Sequence, residues 1–578
     1  MQNQKTCRTM VLLVAGLIPT LWSSVASAQL EEIIVTAERR EADVQDVPVA
    51  VSAYNETLME KLQIMETLDL VNVVPNLFGG NNTGLGTANM YYLRGQGNDE
   101  SIATFDPPVG TYVDDVYVSR QNANNFAFFD VDRIEVLRGP QGTLFGRNTT
   151  GGAINVILKK PAAEMGGFVE AGFGSFNEFM VRGTVDLPVN DKFLTKFSAY
   201  SIQDDGWLEN TVAGDDFNDK ESFGLRADLR FLISDSVTWD MTVDYIDDSE
   251  ANVFGAVSGS DRISTSTLTT GLPPVIFDFV NFLVTGNFTP VNLNPKSDYG
   301  NETESLSVVS NLQFPIGAGD ANLIFGYRSL EQEFLLNFPN AASDDFFWID
   351  NAGQHDQLTA EFKYNISLFD DRVDLVTGVF LMDEDNETDF ADYLSGAFLL
   401  ADRVIDNTTD GFAVYAQGDI AVGEKGTLTL GIRYTDEEKK IGLSDNTGNG
   451  VITTAGLIAA GVPTSQDEQI VTPRVAYSYD FSDQVMAYAS ATRGFKSGGW
   501  NARGTSPDAF QPFGPETLWS YEAGLRADYL GDRLRINATL FSTDLEDLQI
   551  TSATPSGAFL TTNGGGLDVT GLELEITA

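Results

Sequence analysis

The sequence predicts a mainly β protein: a transmembrane antiparallel β-barrel whose lumen holds an N-terminal α+β domain. Three observations predict it. From about Gly167 onward, segments of roughly ten residues alternate apolar and polar, the dyad pattern of barrel strands. The links between those segments alternate short and long, which suits tight turns at one end of a barrel and loops at the other. No segment after the N-terminus reaches the length of a membrane-spanning helix, so a membrane protein of this sequence crosses as a barrel.

The chain opens with Lys5 and Arg8, then an apolar run from Met10 to Trp22, then Ala26-Ser27-Ala28. A basic start, a short apolar run and a small-residue site read as a secretory signal over residues 1–28, cleaved after Ala28. The only cysteine, Cys7, falls within it, so the mature chain is expected to have no disulfide or thiol chemistry. Removing the signal takes away two basic residues and no acids, so the balance becomes 33 − 83 = −50. A chain this acidic has no basic footprint for nucleic acid. Its 42% hydrophobic and 11% aromatic content excludes general disorder.

Residues 29–43 form a separate leading segment. Within it Ile33, Ile34, Val35 and Thr36 are strong strand formers, followed by Ala37. Such a stretch on a flexible segment can add to another protein's sheet edge; the alternative is plain strand pairing inside the next domain. Residues 44–160 have a mixed texture: a short strand (Val49 to Ala53), helical pieces (Glu56 to Leu62, Thr67 to Val73), then strands and glycine loops. The run 139–152 has no G-K-[ST] and no G-x-S-x-G turn, which excludes a phosphate loop or a nucleophile elbow. Its five glycines permit close backbone approaches, a compaction device for a domain that must fit inside a barrel.

Residues 161–578 supply the barrel. In TLTLGIRY (427–434) Leu428, Leu430, Ile432 and Tyr434 share one face, while Thr427, Thr429, Gly431 and Arg433 share the other. RLRINATLF (533–541) alternates likewise. About sixteen strands follow residue 166. Their short links include Pro188 to Asp191, Phe369 to Arg372, Gly423 to Gly426 and Leu530 to Arg533. Their long ones include Ser249 to Asn301, Phe334 to Gln354, Glu387 to Asp410 and Glu438 to Asp467. A large barrel with a filled lumen takes about 22 strands. The expectation is therefore a chain incomplete at its C-terminus, whose first strand near Phe168 to Phe173 lacks its closing partner.

IEVLRGPQGTLFGRNTTGGAINVILKKP (134–161), YYLRG (91–95) and VGTYVDDVYVSR (109–120) resemble the plug-domain signature of TonB-dependent outer-membrane receptors. EIIVTA (32–37) resembles a TonB box. Residues 472–501, 515–530 and 571–576 resemble barrel strands of the same family. The resemblance implies active import across the bacterial outer membrane: a ligand binds outside, and TonB with ExbB–ExbD engages the box and uses the inner-membrane proton gradient to move part of the plug. It also implies a monomer that carries no cofactor and no enzyme activity, takes an iron–siderophore complex, and sits among outer-membrane lipid. A vitamin, carbohydrate or aromatic compound is the alternative cargo, and a passive porin the alternative function.

The family's plug–barrel charge cluster maps onto Arg94 and Arg138 from the plug and Glu522 and Glu573 from the barrel. Carboxylates facing an enclosed lumen are costly unless paired, and arginine forks suit them. The stretch Phe334 to Gln354 carries Phe338, Phe346, Phe347 and Trp348 with three aspartates and no Lys or Arg, a candidate ligand mouth that repels a strongly anionic complex. His355, the only histidine, is expected at the surface; without Cys or His companions it implies no metal site. Paired acids such as Asp114-Asp115 and Asp204-Asp205 are expected to solvate loops.

Overall fold

In a computed structural model of the chain, the described residues are 33–82, 85–207, 218–251, 300–340, 343–394, 398–448, 450, 452–504, 506–553 and 559–578. The expected signal, 1–28, lies outside them.

Two short strands, β1 (Ile34–Val35) and β2 (Ala42–Asp43), form a leading hairpin. The plug follows: β3 (Val51–Asn55), α1 (Glu56–Leu62), β4 (Leu77–Asn82), β5 (Leu85–Leu93), β6 (Val109–Val113), β7 (Val116–Val118), β8 (Val131–Arg138) and β9 (Gly152–Leu158). Five of these strands make a sheet in the order β3-β8-β9-β6-β7, with β6 and β9 parallel. Helix α1 begins where the Asn55 side chain accepts the Leu58 amide, and it ends at Gln63 in the left-handed region. Ile134, Val136, Ile154 and Val156 alternate along β8 and β9 and bury against Met59, Leu70, Leu77 and Phe128.

The barrel strands are β10 (Gly166–Phe173), β11 (Phe179–Asp186), β12 (Phe193–Asp204), β13 (Lys220–Ser234), β14 (Val237–Ala251), β15 (Gly300–Ile316), β16 (Gly319–Asn340), β17 (Ser343–Leu368), β18 (Val373–Leu394), β19 (Phe398–Val422), β20 (Gly426–Asp445), β21 (Ser465–Ser482) and β22 (Val485–Lys496). After two short strands, β23 (Gly499–Trp500) and β24 (Pro512–Phe513), come β25 (Glu516–Tyr529), β26 (Leu534–Glu546), the hairpin β27 (Gln549–Ala553) and β28 (Phe559–Asn563), and β29 (Gly566–Thr577).

Sixteen of these pair in sequence as one antiparallel sheet, the number expected. Among the described residues β10 pairs only with β11 and β29 only with β26, so the sheet has two free edges. The alternation is inverted relative to a soluble protein. Leu430 and Ile432 are about half exposed, whereas Thr429 and Arg433 are buried, because the outer face meets lipid and the inner face meets the plug.

Two of the expected long links are absent as loops. Phe334 to Gln354 and Glu387 to Asp410 continue the ladder instead: β16 pairs with β17 up to Asn340↔Ser343, and β18 with β19 up to Leu394↔Phe398. Their polar residues read as loop in the sequence. Above a bilayer both faces of a strand can be polar, so polarity does not end pairing there. The expected short links hold; only residues 369–372 join β17 to β18 and 423–425 join β19 to β20.

The plug sits within the strand ring. Thr143 Oγ1 donates to the Thr472 carbonyl at 3.0 Å, Ser52 Oγ to Glu575 at 2.5 Å, and the Arg526 guanidinium to the Val49 carbonyl. Only residues 159–165 join β9 to β10, too short a tether for a domain outside the barrel.

Candidate functional site

The structure brings Arg94, Arg138, Glu522 and Glu573 together. Arg94 follows β5 with φ +52°, a conformation uncommon for a side-chain-bearing residue. Its Nη1 lies 2.5 Å from Glu522 Oε1, and its Nε and Nη2 grip Glu573 at 2.9 and 2.8 Å. The guanidinium also lies 4.1 Å from the centre of the Phe541 ring. Arg138, at the end of β8, reaches Glu573 at 3.4 Å and Glu575 at 2.5 Å. Asn76 donates to Glu573 at 3.0 Å. Glu575 and Asn76 are the members that sequence reasoning missed. The signal for Glu575 was available: it is two residues from Glu573 on one strand and so shares its face.

The glycine run explains how two domains approach closely enough for this. A Cβ on Gly139 would stand 2.6 Å from Arg94 Nη1 and 2.7 Å from Glu522 Oε1, and its φ is +83°. A Cβ on Gly142 would stand 2.8 Å from the Arg493 carbonyl of the wall.

A second buried network centres on Asp106 of the plug. Arg120 and Arg147 each reach it at 2.8 Å, and Lys439 of β20 at 2.6 Å. Arg120 continues to Glu384 of β18 at 2.7 Å, and Arg147 to Glu437 of β20 at 3.0 Å. Burial pushes the Asp106 carboxyl up, but Lys439, Arg147 and Arg120 more than offset it and hold it below the usual carboxylate range. Sequence reasoning found none of these residues.

Asp114 and Asp115 do not solvate a loop. Asp114 pairs with Lys160 at 2.6 Å; Asp115 pairs with Arg39 at 2.7 Å and with Lys363 of β17 at 3.1 Å. Burial raises the Asp115 carboxyl, and Lys363 and Arg39 more than offset that. Asp204 and Asp205 accept from the Gly206 amide and the Asn177 side chain. His355 is buried, not at the surface. It lies on the inner face of β17, its Nε2 3.3 Å from Ser119 Oγ of the plug and its Nδ1 3.6 Å from Glu384. The plug covers it, which no local pattern signals.

The segment Ile33 to Ala37 is held at the short-link end of the barrel. Ile34 faces Asp43 and Val35 faces Ala42 in the leading hairpin, and the Ile33 carbonyl accepts the Val44 amide. Thr36 donates its amide to Glu135 at 2.8 Å and its hydroxyl at 3.1 Å. Val35 and Ala37 are buried with Val44, Leu144 and, from the barrel, Tyr415 and Val376. Ile34 remains over a third exposed. The segment was expected to be flexible; here its own strand propensity and apolar side chains find partners in the plug. The backbones of Phe338, Phe347 and Trp348 lie at the tip of the β16–β17 hairpin, with Phe338 facing Phe347 and Trp348 facing Asn337. The side chains of these three and of Phe346 lie outside the described residues.

Residues 176–578 match the family model for the TonB dependent receptor-like beta-barrel, and residues 43–153 match the TonB-dependent receptor plug domain. The chain belongs to the TonB-dependent receptors. These are receptors and transporters, not enzymes, and their barrel is of the outer-membrane type. The pesticin receptor of Yersinia pestis is 24% identical over 580 residues, covering 99% of this chain and 79% of that protein. The metal-pseudopaline receptor of Pseudomonas aeruginosa is also 24% identical, covering 97% and 78%. Among solved structures, the ferric yersiniabactin uptake receptor of Yersinia pestis has a TM-score of 0.75 at 20% identity, covering 92% of this chain and 76% of that one. The pyoverdine-bound pyoverdine receptor of Pseudomonas aeruginosa has a TM-score of 0.71 at 16% identity, covering 94% and 77%.

Proposed function

We propose that this TonB-dependent receptor resides in the bacterial outer membrane and imports an iron–siderophore complex, with TonB and ExbB–ExbD supplying energy from the inner-membrane proton gradient. The observation that carries this reading is a lumen filled by a plug that buried charge pairs fasten to the wall at Asp106, Asp115 and Glu573. A passive pore needs a clear path, whereas a fastened plug needs work done on it. The hairpin holding Ile33 to Ala37 is the handle through which that work enters: its main-chain bonds and the Glu135 contact can be replaced by a strand from another protein once Val35 and Ala37 leave their apolar cluster. Charge-paired contacts make the plug stable at rest and release it when several are lost together. The relatives whose printed names specify a siderophore or a metal complex support iron chelates as the cargo.

The test is uptake of radiolabelled iron by a deletion strain, with and without the restored gene, across a panel of siderophores. Restored uptake that a protonophore abolishes supports the reading. Restored iron uptake that persists with the protonophore would show passive flow, and restoration only of a vitamin or sugar would replace the iron chelate as cargo.

A further inference from the structure

Between the leading hairpin and β3 runs a buried segment, residues 47–50. Three consecutive carbonyls in it are held. Arg474 Nη2 of β21 donates to Pro48 at 3.1 Å, the Arg526 guanidinium of β25 donates to Val49, and the Arg138 amide of β8 donates to Ala50 at 2.9 Å. Pro48 bends the chain there, with the Val49 amide on the Val47 carbonyl at 2.9 Å. Two of the three donors come from the barrel wall, and they grip backbone, not side chains.

Both wall arginines are buried. Arg526 Nε and Nη1 have no partner among the described residues, so the Val49 carbonyl is the one acceptor this guanidinium has, with the Tyr488 ring centre 5.6 Å away. Taking that acceptor away leaves a buried cation unsatisfied, which is costly. Arg474 ties the two ends of the leading hairpin together: Nη1 pairs with Glu38 at 3.1 Å while Nη2 holds Pro48. The chain ahead of the segment is held differently. Arg39 pairs with Asp115 and Arg40 with Asp419, and Arg40 is 29% exposed, so water screens it. Val35, Ala37, Val44 and Val47 sit in an apolar cluster, whose contacts are non-directional and yield one side chain at a time. The two carbonyl grips are adjacent, directional and anchored on different strands, so they have to give together. Behind them β3 is an edge strand with β8 as its only neighbour in the sheet, and it is the next element to come apart when the chain ahead is drawn out.

We infer that Arg474 and Arg526 are a stop on the plug backbone: a pull on the leading hairpin draws out residues 33–47, and Pro48 and Val49 then hold. This rests on the reading above that work enters through the hairpin, and it sets how far that work reaches before the plug sheet is disturbed. The two arginines are positioning residues that act through the backbone they grip. Because the acceptors are carbonyls, the stop depends on the path of the chain and not on the side chains of residues 48 and 49.

The experiment pulls single molecules of the full chain, folded in detergent micelles, between handles attached through Glu31→Cys and Asp483→Cys; the only native cysteine, Cys7, lies in the expected signal. At constant force the extension should pause after about 50 Å, the length of residues 33–47 drawn straight. Arg474→Met and Arg526→Met should each shorten that pause about tenfold, the loss of one hydrogen bond from a charged donor. Arg403→Met is the matched control: this buried wall arginine grips the Ala502 carbonyl at 2.6 Å, away from the plug's leading segment, and the pause should keep its length and lifetime. Heat-modifiable gel mobility checks that each variant folds, and because Arg474 and Arg526 lie on different strands, a folding failure in one leaves the other decisive. No pause in the unsubstituted chain, or a first pause at another length, overturns the stop. An unchanged pause in a folded Arg474 or Arg526 variant removes that arginine from it, and equal shortening in the Arg403 variant overturns it as general loosening of the wall. The pulling uses no TonB, so these outcomes bear on the stop alone, and the protonophore-sensitive uptake panel decides separately whether the receptor imports with energy.

Discussion

At the scale of residues, the plug is fastened by charges that water cannot reach. Arg94 serves two carboxylates at once, and its removal leaves Glu522 and part of Glu573 buried without their cation. Breaking such a pair costs about 3–5 kcal/mol, so Arg94→Ala should lower the urea midpoint of plug release, read by protease sensitivity of the plug in an otherwise intact barrel. Asp106 adds a pH dependence. Its carboxyl lies below the ordinary value of about 4 because three cations outweigh burial. A depressed folded-state value contributes stability that is present above the unfolded value and lost as pH falls below it. Plug retention should therefore weaken from about pH 5 to pH 2, and Asp106→Asn should flatten that part of the profile. An identical acid profile in the variant would remove Asp106 from the cause. The four-residue cluster was legible in the sequence because its members sit in recognisable motifs. Asp106, Arg147 and Lys439 were not: they meet across 333 residues between Asp106 and Lys439, and nothing local marks a lysine on the inner face of a barrel as a partner for a loop aspartate.

At the scale of elements, alternation located the strands and failed to bound them. Short turns carry glycine, proline and aspartate and end a ladder visibly. At the outer ends of β16 to β19 such residues, Pro339, Asp344, Asp345 and Gly396, stand among long polar runs, and a strand standing in water on both faces looks like a loop, so the ladder's end is hidden. The leading hairpin was half legible: Ile33 to Thr36 announce a strand, but the choice of partner depends on Glu135 and Tyr415, far along the chain. Its short pairing, two residues on each strand, serves the proposed mechanism. Ile34→Pro removes a main-chain donor and restricts φ, so energy-dependent uptake should fall to the protonophore-treated level. Ligand binding at the apex should stay unchanged, because the substitution lies at the other end of the barrel. Uptake and surface binding measured on the same cells separate the two, and full uptake at normal surface level would take the handle role away from this segment.

At the scale of the whole molecule, the lengths of the strands set its orientation. Spanning takes about 9–11 residues, while β17 has 26. Starting from the short link 369–372, the first ten or so residues of β17 and β18 cross the apolar band, and the remainder stands beyond it. Short links belong to the periplasmic end and the tall hairpins to the outside. The sequence makes this measurable, since its only cysteine is Cys7 in the expected signal. Single cysteines placed at exposed sites then report without background. Glu387→Cys, on the tall part of β18, should react with a membrane-impermeant maleimide in intact cells. Asp371→Cys and Asp483→Cys, in the short links, should react only after the outer membrane is permeabilised. All three side chains are exposed and none touches the buried networks, so folding should be preserved. Reversed labelling would invert the barrel and place the Ile33 to Ala37 hairpin outside the cell, where no inner-membrane partner can reach it.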